Sequence, residues 1–425
     1  MNISPATSAL IGEYAETALP VQTTVARRKV FYVSGFDPLG PRRYRELYRK
    51  EGPTQAAISG YDLHVGGMPR AENGNYRWNA RFRSEDLETN TEFEFLGWDD
   101  IVRHSFRPSL RYVYALMFKT LWIYLSSGAI RSMWRLRSGP LVAGLVPAFL
   151  MIFYLLFGAL IGTSAAMLSV AAVQVPIWLA GVIGLGGFAI SMWATRLFEE
   201  QMMIYFMVND LGYSAQDAGA YPEALSQRLD EFAEQIAEAL DGGDYDEVLI
   251  VGHSSGAQLA ITALSRCIDR SASQPSTPLA LMTLGQSIAM TSFLPKAEEL
   301  RADLARIADN ARIFWLDVTA PGDGACFALT DPAANCRAHG RPADALNPVV
   351  ISAAFRQTMD PEQLRQYRWR LLRMHFQYLC AFANPSIFDY FEATAGPLAL
   401  STRFAGRDCS PSMKADPVAP VLHQG

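Results

Sequence analysis

Residues 247–264 read EVLIVGHSSGAQLAITAL, and this stretch determines the fold that we expect. Its first five residues, 247–251, form a mostly apolar run bounded by turn residues, which predicts a buried strand. Residues 257–267 predict a helix, and the sequence GHSSG at 252–256 connects the two elements. The two glycines allow a tight, strained turn that lifts the hydroxyl of Ser254 out of the edge of the sheet.

Similar elements surround this stretch on both sides. Strands are predicted at 30–33, 76–82, 91–98, 279–284 and 313–318, and helices at 221–240 and 295–310. Apolar strands that alternate with helices are typical of a parallel sheet covered on both faces. The sequence therefore predicts an α/β fold with a mostly parallel sheet.

A run of 58 residues without Asp, Glu, Lys or Arg, from Ser138 to Thr195, interrupts this pattern. A spanning helix needs about 20 apolar residues, so the run fits two spans joined by a short connection. We expect them at about 141–163 and 176–195. Two buried core helices of a soluble protein are the alternative, but a charge-free run of this length is rare in soluble folds.

Basic residues flank the run and indicate its orientation. Arg131, Arg135 and Arg137 precede it, Arg196 follows it, and the connection carries no positive charge. The positive-inside rule then predicts that both ends are cytoplasmic. Residues 110–134, rich in aromatic and aliphatic side chains with Arg and Lys between them, predict an interfacial helix or an ordinary amphipathic one.

The chain thus divides into five parts. We expect a loose N-terminal tail (1–27), the first part of the α/β domain (28–105), the membrane region (106–200), the second part of the α/β domain (201–395) and a C-terminal tail (396–425). The first 20 residues lack the features of a signal peptide. If the early and late strands share one sheet, both flanks of the membrane region lie on the same side, so the number of crossings is even.

Composition excludes several classes of function. The 425-residue chain has a net charge of −5 and no large basic cluster, which argues against nucleic-acid binding. Five cysteines without CxxC spacing argue against a disulfide scaffold or a zinc ribbon and suit a reducing compartment. His64 and His104 are isolated, and no phosphate-binding glycine motif is present. We therefore expect no metal and no cofactor.

A nucleophilic serine needs a base, and the base needs an orienting acid. Three histidines follow Ser254: His339, His375 and His423. His423 lies in the terminal tail and His339 in a loop, whereas apolar residues flank His375 on both sides. We therefore favour His375 as the base, with a buried structural histidine as the alternative.

The acid is expected on the loop that follows the predicted strand at 313–318. Asp323 lies between glycines just beyond the carboxyl end of that strand, where α/β sheets place ligand-facing groups. Asp317 lies inside the strand and is the second candidate, and Asp331 follows on the same loop region. An ordinary solvated loop aspartate is the alternative for Asp323.

These residues resemble the α/β-hydrolase superfamily of serine esterases and lipases, in which the chain order is Ser, Asp or Glu, then His. The resemblance covers about 246–380 and implies that Ser254 is the nucleophile, His375 the base and Asp323 the group that holds the imidazole. It also implies an oxyanion hole formed by the backbone N–H of Ser255 and a second one from an early loop, for which Phe36 is the candidate. The HGGG-type oxyanion sequence is absent.

The sequence therefore predicts a membrane-anchored serine hydrolase that cleaves a carboxylic ester of a lipid or another lipophilic acyl compound. An acyltransferase or thioesterase would use the same residues, and a catalytically silent membrane scaffold is a third hypothesis. We expect the protein in a bacterial inner membrane, with the catalytic domain and both termini in the cytoplasm.

Overall fold

The computed structural model describes residues 24–71, 73–106, 109–198, 204–270, 277–385 and 387–419. Its centre is an eight-stranded sheet with the order β2-β3-β4-β1-β5-β6-β7-β8. The strands are β1 (Arg27–Val33), β2 (Asp62–Val65), β3 (Tyr76–Ser84), β4 (Leu87–Phe95), β5 (Glu247–His253), β6 (Leu279–Leu284), β7 (Ile313–Thr319) and β8 (Val349–Ser352). β1 and β4 to β8 run parallel, and β2 and β3 pair antiparallel at one edge. The predicted α/β class is confirmed as a mixed sheet.

The central strands are almost completely buried because helices cover both faces of the sheet. On one face, α1 (Pro41–Ser59) packs with the C-terminal helices α15 (Tyr390–Ala395) and α16 (Leu400–Arg403). On the other face lie α8 (Glu223–Asp241), α9 (Gly256–Arg270) and α11 (Glu298–Ala308). All seven residues of β5 are buried, as the apolar run predicts.

Smaller helices connect these layers. They are α2 (Asp99–Ser105), α7 (Ile204–Ala215), α10 (Ala289–Ser292), α12 (Phe355–Thr358), α13 (Pro361–Tyr367) and α14 (Leu371–His375). α7 follows the membrane region, and α14 follows β8 at the carboxyl edge of the sheet. These two helices contribute to the cavity that is described below.

Four helices lie in the predicted membrane region: α3 (Leu110–Ser126), α4 (Ala129–Leu136), α5 (Ser138–Val173) and α6 (Ile177–Ala194). Among the described residues, Ser138–Val173 and Ile177–Leu197 are long and apolar enough to span a membrane. The predicted single helix at 110–134 is wrong, because the chain bends by 75° between α3 and α4. Gly128, with a φ of 75°, lies at this bend.

The first predicted span, 141–163, lies inside α5, which extends beyond it at both ends. α5 has 36 residues, which at about 1.5 Å per residue far exceeds the roughly 30 Å of a hydrocarbon core. Its first turns pack on the protein body, where Leu141 is buried beside Tyr124 and Phe293. Its later turns pair with α6, and a Cβ at Gly162 would lie only 2.6 Å from the carbonyl oxygen of Gly184. The connection is therefore shorter than expected and begins at Gln174.

Strands from both sides of this helical hairpin pair directly in the sheet. Val30 of β1 is in register with Leu249 of β5. The two flanks of the hairpin therefore lie on the same side of any membrane that it enters, which requires an even number of crossings. A third crossing by α3 and α4 is incompatible with this sheet.

The described part of the predicted C-terminal tail, 396–419, is hydrogen-bonded to the rest of the protein. The N–H of Ser410 donates to the carbonyl of Val350, and the N–H of Lys414 donates to that of Leu329. Arg28 holds the start of the same segment by donating to the carbonyl oxygens of Gly396 and Leu398. Periodicity gave no signal here because these residues pack as short irregular turns. Residues 1–23 of the predicted N-terminal tail, and His423, lie outside the described residues.

Candidate active site

Ser254 lies on a strained turn between β5 and α9. Its φ of 60° is in the left-handed region, which costs a non-glycine residue energy and persists only where the surrounding structure enforces it. A Cβ at Gly252 would lie 2.6 Å from Cα of Ala257, and one at Gly256 would lie 2.4 Å from the carbonyl oxygen of Ser34. Both glycines are therefore required by close packing of the turn between its strand and its helix.

His375 and Asp323 come together although they are 52 residues apart in the chain. His375 ends α14, Asp323 lies on the loop after β7, and their Nδ1 and Oδ2 atoms are 2.7 Å apart. Tyr378 donates its hydroxyl to the same carboxylate oxygen at 3.1 Å, and the N–H of Ala325 donates to Oδ1 at 2.9 Å. The carboxylate is thus fully buried and held by three donors.

This pairing controls the charge of both side chains. Burial alone would raise the pKa of Asp323, but the His375 ring more than offsets it, so the pKa of Asp323 lies below its ordinary value. Burial would lower the pKa of His375, and the Asp323 carboxylate beside it raises that pKa above its ordinary value instead. The pair is therefore built to stabilise an imidazolium next to a carboxylate.

Ser254 and His375 line the same cavity, which has a volume of about 300 Å³ and which we call the Ser254 cavity. No hydrogen bond joins Ser254 Oγ to the His375 ring in the described part of the chain. Such contacts are often long in unliganded enzymes and shorten when substrate binds. The structure therefore brings all three sequence-predicted residues to one place, with the His–Asp contact formed.

The two predicted oxyanion donors differ in their availability. Within the described residues, the backbone N–H of Ser255 makes no hydrogen bond, and it stands immediately before the N-terminus of the 15-residue helix α9. The N–H of Phe36, in contrast, donates to Oγ of Ser255 at 3.0 Å. The Phe36 N–H therefore already has an acceptor in this structure, and its assignment, or that of a neighbour, as the second oxyanion donor stays a prediction.

The alternative acids and bases lie elsewhere. Asp317 is buried inside β7, where it accepts from the hydroxyl of Thr283 at 2.6 Å. Asp331 accepts from the N–H groups of Ala333 and Ala334 and pairs with Arg341. His339 is exposed and does not line the Ser254 cavity. Among the acid and base candidates in the described residues, Asp323 and His375 are the pair that meets.

His253 is a site residue that the sequence analysis did not single out. Its Nε2 contacts the main-chain oxygen of His375 at 3.0 Å, and the two rings lie 4.9 Å apart. Burial lowers the pKa of His253 to about 3, with His375 adding to the effect, so the ring is neutral. The residue before Ser254 therefore supports the backbone that carries His375. The position of His253 within GHSSG, directly before Ser254, was the feature of the sequence that could have identified it.

Asp210 is a second side chain that was missed. It is half-buried on α7 and opens onto the Ser254 cavity. Burial raises the pKa of Asp210 to about 7, although the nearby His375 lowers it. Its carboxylate also contributes to the raised pKa of His375. A lone acid within the mostly apolar stretch MIYFMVNDLG was the sequence signal.

The described residues hold no group of three or more His, Cys, Asp or Glu side chains arranged to bind a metal ion. Comparisons of the chain with protein-family models, with curated proteins and with solved structures gave no match, so what this site does is inferred from its geometry alone.

Proposed function

We propose that this protein is a serine hydrolase of the α/β-hydrolase type that cleaves a carboxylic ester at a membrane. One observation carries the proposal: the His375–Asp323 hydrogen bond of 2.7 Å opens onto the same cavity as Ser254, which is held on a strained strand–turn–helix. The chain order of Ser254, Asp323 and His375 also supports it, because this order is that of α/β-hydrolases.

The proposed reaction begins when Ser254 Oγ attacks the ester carbonyl and His375 accepts its proton. Asp323 accepts from Nδ1–H, which fixes the tautomer that leaves the other ring nitrogen free to act as the base. The Ser255 N–H and the N-terminus of α9 stabilise the oxyanion. The C–O bond to the alcohol then breaks, and His375 returns the proton to the leaving oxygen. Water, deprotonated by His375, then attacks the acyl carbon. The bond from that carbon to Ser254 Oγ breaks, the acid leaves, and His375 returns the proton to Oγ.

A lipophilic substrate is supported by the surroundings of Ser254. Pro140 and Gly144, near the start of α5, line the Ser254 cavity together with Met207 and Met290. The same helix continues into the apolar hairpin. A substrate dissolved in the membrane would therefore reach the serine along a helix that itself enters the bilayer.

We also propose that the sheet domain lies in the cytoplasm of a bacterial cell, at the inner membrane. Arg131, Arg135 and Arg137 precede the hairpin and Arg196 follows it, and positively charged residues favour the cytoplasmic side. Accessibility of a cysteine introduced at Gln174, compared with one introduced at the exposed Asp344, tests this orientation in intact cells. We expect labelling only of the cysteine at Gln174. Labelling only of the cysteine at Asp344 would indicate the opposite orientation.

The function itself is tested by labelling membranes with a fluorescent fluorophosphonate. We expect strong labelling of the wild type, none for Ser254→Ala, and greatly slowed labelling for His375→Ala and Asp323→Asn. Absence of labelling in a folded wild type would overturn the proposal in favour of a catalytically silent scaffold. Product analysis with and without an alcohol or thiol acyl carrier distinguishes a hydrolase from an acyltransferase or a thioesterase.

A further inference from the structure

A second chamber adjoins the Ser254 cavity and has no part in the mechanism above. It lies between α3, α4, α7 and the first turns of α5, and we call it the side chamber. Its volume is about 50 Å³ beside the 300 Å³ of the Ser254 cavity. Gly144, Leu211 and Met290 line both spaces, so these three residues form the junction between them.

The lining of the side chamber is apolar. Of the thirteen described residues that line it, only Thr120 and Tyr124 carry a polar side-chain atom. The Tyr124 hydroxyl donates to the carbonyl of Met290 at 2.9 Å, so it is already satisfied within the wall. The charged groups of the Ser254 cavity, Asp37, Arg43 and Asp210 among them, do not line the side chamber. A polar or charged group would lose its hydration there and would find the Thr120 hydroxyl as its one remaining side-chain partner among the described lining residues.

The walls of the side chamber carry exposed apolar side chains on their outer side. On α3, the outward residues Phe118, Trp122 and Leu125 are exposed, and on α5 the outward residues Val142 and Val146 are exposed. Large apolar patches of this kind are unusual on a surface that faces water. The side chamber therefore lies between the Ser254 cavity and an apolar surface that is continuous with the hairpin.

We propose that the side chamber holds the distal part of a linear acyl chain whose ester carbonyl lies at Ser254. This inference rests on the proposed function and specifies its substrate: an ester of a single unbranched fatty acyl chain. The chain passes the Gly144–Leu211–Met290 junction, and the alcohol part of the ester stays in the Ser254 cavity, where the polar groups are. No covalent step is added to the mechanism.

Gly144 offers a direct way to close the junction. A Cβ added there would lie 3.4 Å from Leu211 Cδ1 and 3.7 Å from Met290 Cε, which are ordinary contacts. Gly144→Ala therefore fits without displacing its neighbours, whereas the ring of Gly144→Phe would occupy the passage. Ala148, one turn further along α5, lines the side chamber but not the Ser254 cavity. Ala148→Phe therefore fills only the far end.

The experiment compares the full chain in detergent micelles with two probes, an ethyl and a dodecyl fluorophosphonate. The measured quantity is the ratio of the two labelling rates, which does not depend on the amount of folded protein. We expect the wild type to prefer the dodecyl probe and Gly144→Phe to lower the ratio by at least about tenfold. Ala148→Phe should lower it less, and Gly144→Ala least. Val146→Phe, on the exposed face of the same helix, is the matched control and should keep the wild-type ratio.

The outcomes separate this inference from the proposed function. If the wild type reacts with neither probe, the proposed function is wrong and the acyl assignment fails with it. If the wild type reacts with both but Gly144→Phe and Ala148→Phe keep its ratio, only the acyl assignment is overturned. Should Gly144→Phe fail to fold, Ala148→Phe alone decides by the same criterion. A p-nitrophenyl ester series from acetate to palmitate should then show the preferred chain length shortening in Ala148→Phe.

Discussion

His253 and His375 are joined through the protein backbone: Nε2 of the first lies 3.0 Å from the main-chain oxygen of the second. Because the pKa of His253 is lowered to about 3, its ring stays neutral and donates one Nε2–H to that oxygen. The residue that precedes the proposed nucleophile therefore fixes the segment that carries the proposed base. His253 acts as a positioning residue.

We expect His253→Leu to lower kcat by roughly 10- to 100-fold with little change in KM, because small displacements of a catalytic group are costly. Leu fills much of the volume but cannot donate a hydrogen bond, whereas His253→Gln keeps a donor and should recover part of kcat. Steady-state kinetics on both variants tests this. Equal losses of kcat in His253→Leu and His253→Gln would show that His253 contributes only by packing.

Asp210 should affect the pH dependence of the reaction. Its carboxylate helps to raise the pKa of His375, so removing that charge in Asp210→Asn lowers the pKa of His375. The base is then unprotonated at lower pH, and the acidic limb of the kcat/KM profile moves to lower pH. Asp217→Asn, an exposed neighbour on the chain that does not line the Ser254 cavity, is the control. A shift to higher pH, or none, would contradict the role assigned to Asp210.

The buried pair of Arg28 and Glu247 should be a main determinant of stability. The two side chains are 2.5 Å apart and almost fully buried, and Glu247 also accepts from the N–H of Leu400 at 2.6 Å. Removing one partner leaves an uncompensated buried charge, so Arg28→Met is expected to cost about 3–5 kcal/mol of unfolding free energy. Denaturant unfolding in detergent measures the loss.

A surface pair provides the comparison for Arg28 and Glu247. Arg306 and Asp269 also form an ion pair, but both are largely exposed, and Asp269→Asn should cost less than about 1 kcal/mol. The double variant Arg28→Met with Glu247→Leu should recover part of the single-variant loss. Similar losses for the buried and the exposed pair would refute the importance given to the buried one.

Asp317 should make the protein less stable as pH rises. Burial in β7 raises the pKa of Asp317 to about 8, while a hydrogen bond from Thr283 opposes the shift. The folded state therefore binds this proton more tightly than the unfolded state, whose aspartate titrates near 3.9. The resulting stability is full below pH 4 and is lost between about pH 4 and 8.

The isosteric variant Asp317→Asn cannot lose this proton. Its melting temperature should fall less than that of the wild type between pH 4 and 8, and the two curves should diverge most above pH 8. Asp344→Asn, at an exposed loop position, should follow the wild-type curve. Parallel curves for Asp317→Asn and the wild type would disprove the prediction.

The sequence predicted those parts of the molecule whose signals are local. The strands from β5 to β7 were predicted to within two residues, because continuous apolar runs between turn residues mark buried strands. β8 has only four residues and β2 alternates weakly, so neither gave a run long enough to detect. α1 was missed because its basic and aromatic residues obscure the period and Pro53 lies inside it.

Chain order and residue type were enough to predict some residues of the candidate site. Other residues of the site depend on tertiary packing and were missed. Ser254, Asp323 and His375 followed from a strand–turn–helix, a loop after a strand and an anchored histidine. The roles of Asp210 and His253 depend on how α7 and α14 pack against the turn. The sequence of any single segment does not reveal this packing. The hydrogen bond from the Phe36 N–H to the Ser255 hydroxyl likewise depends on tertiary packing, and no spacing in the sequence indicates it.

The pairing of β1 with β5 has a consequence for how the protein is made. The two strands are neighbours in the sheet, yet contacting residues such as Arg28 and Glu247 are 219 positions apart, with the whole hairpin between them. During synthesis β1 leaves the ribosome first. It cannot pair with β5 until the hairpin, and then β5 itself, have been translated. The two apolar helices are therefore complete before the sheet can form, and the segments that carry Ser254, Asp323 and His375 are translated only afterwards. The proposed site of Ser254, Asp323 and His375 can thus form only on a chain whose two apolar helices have already been made.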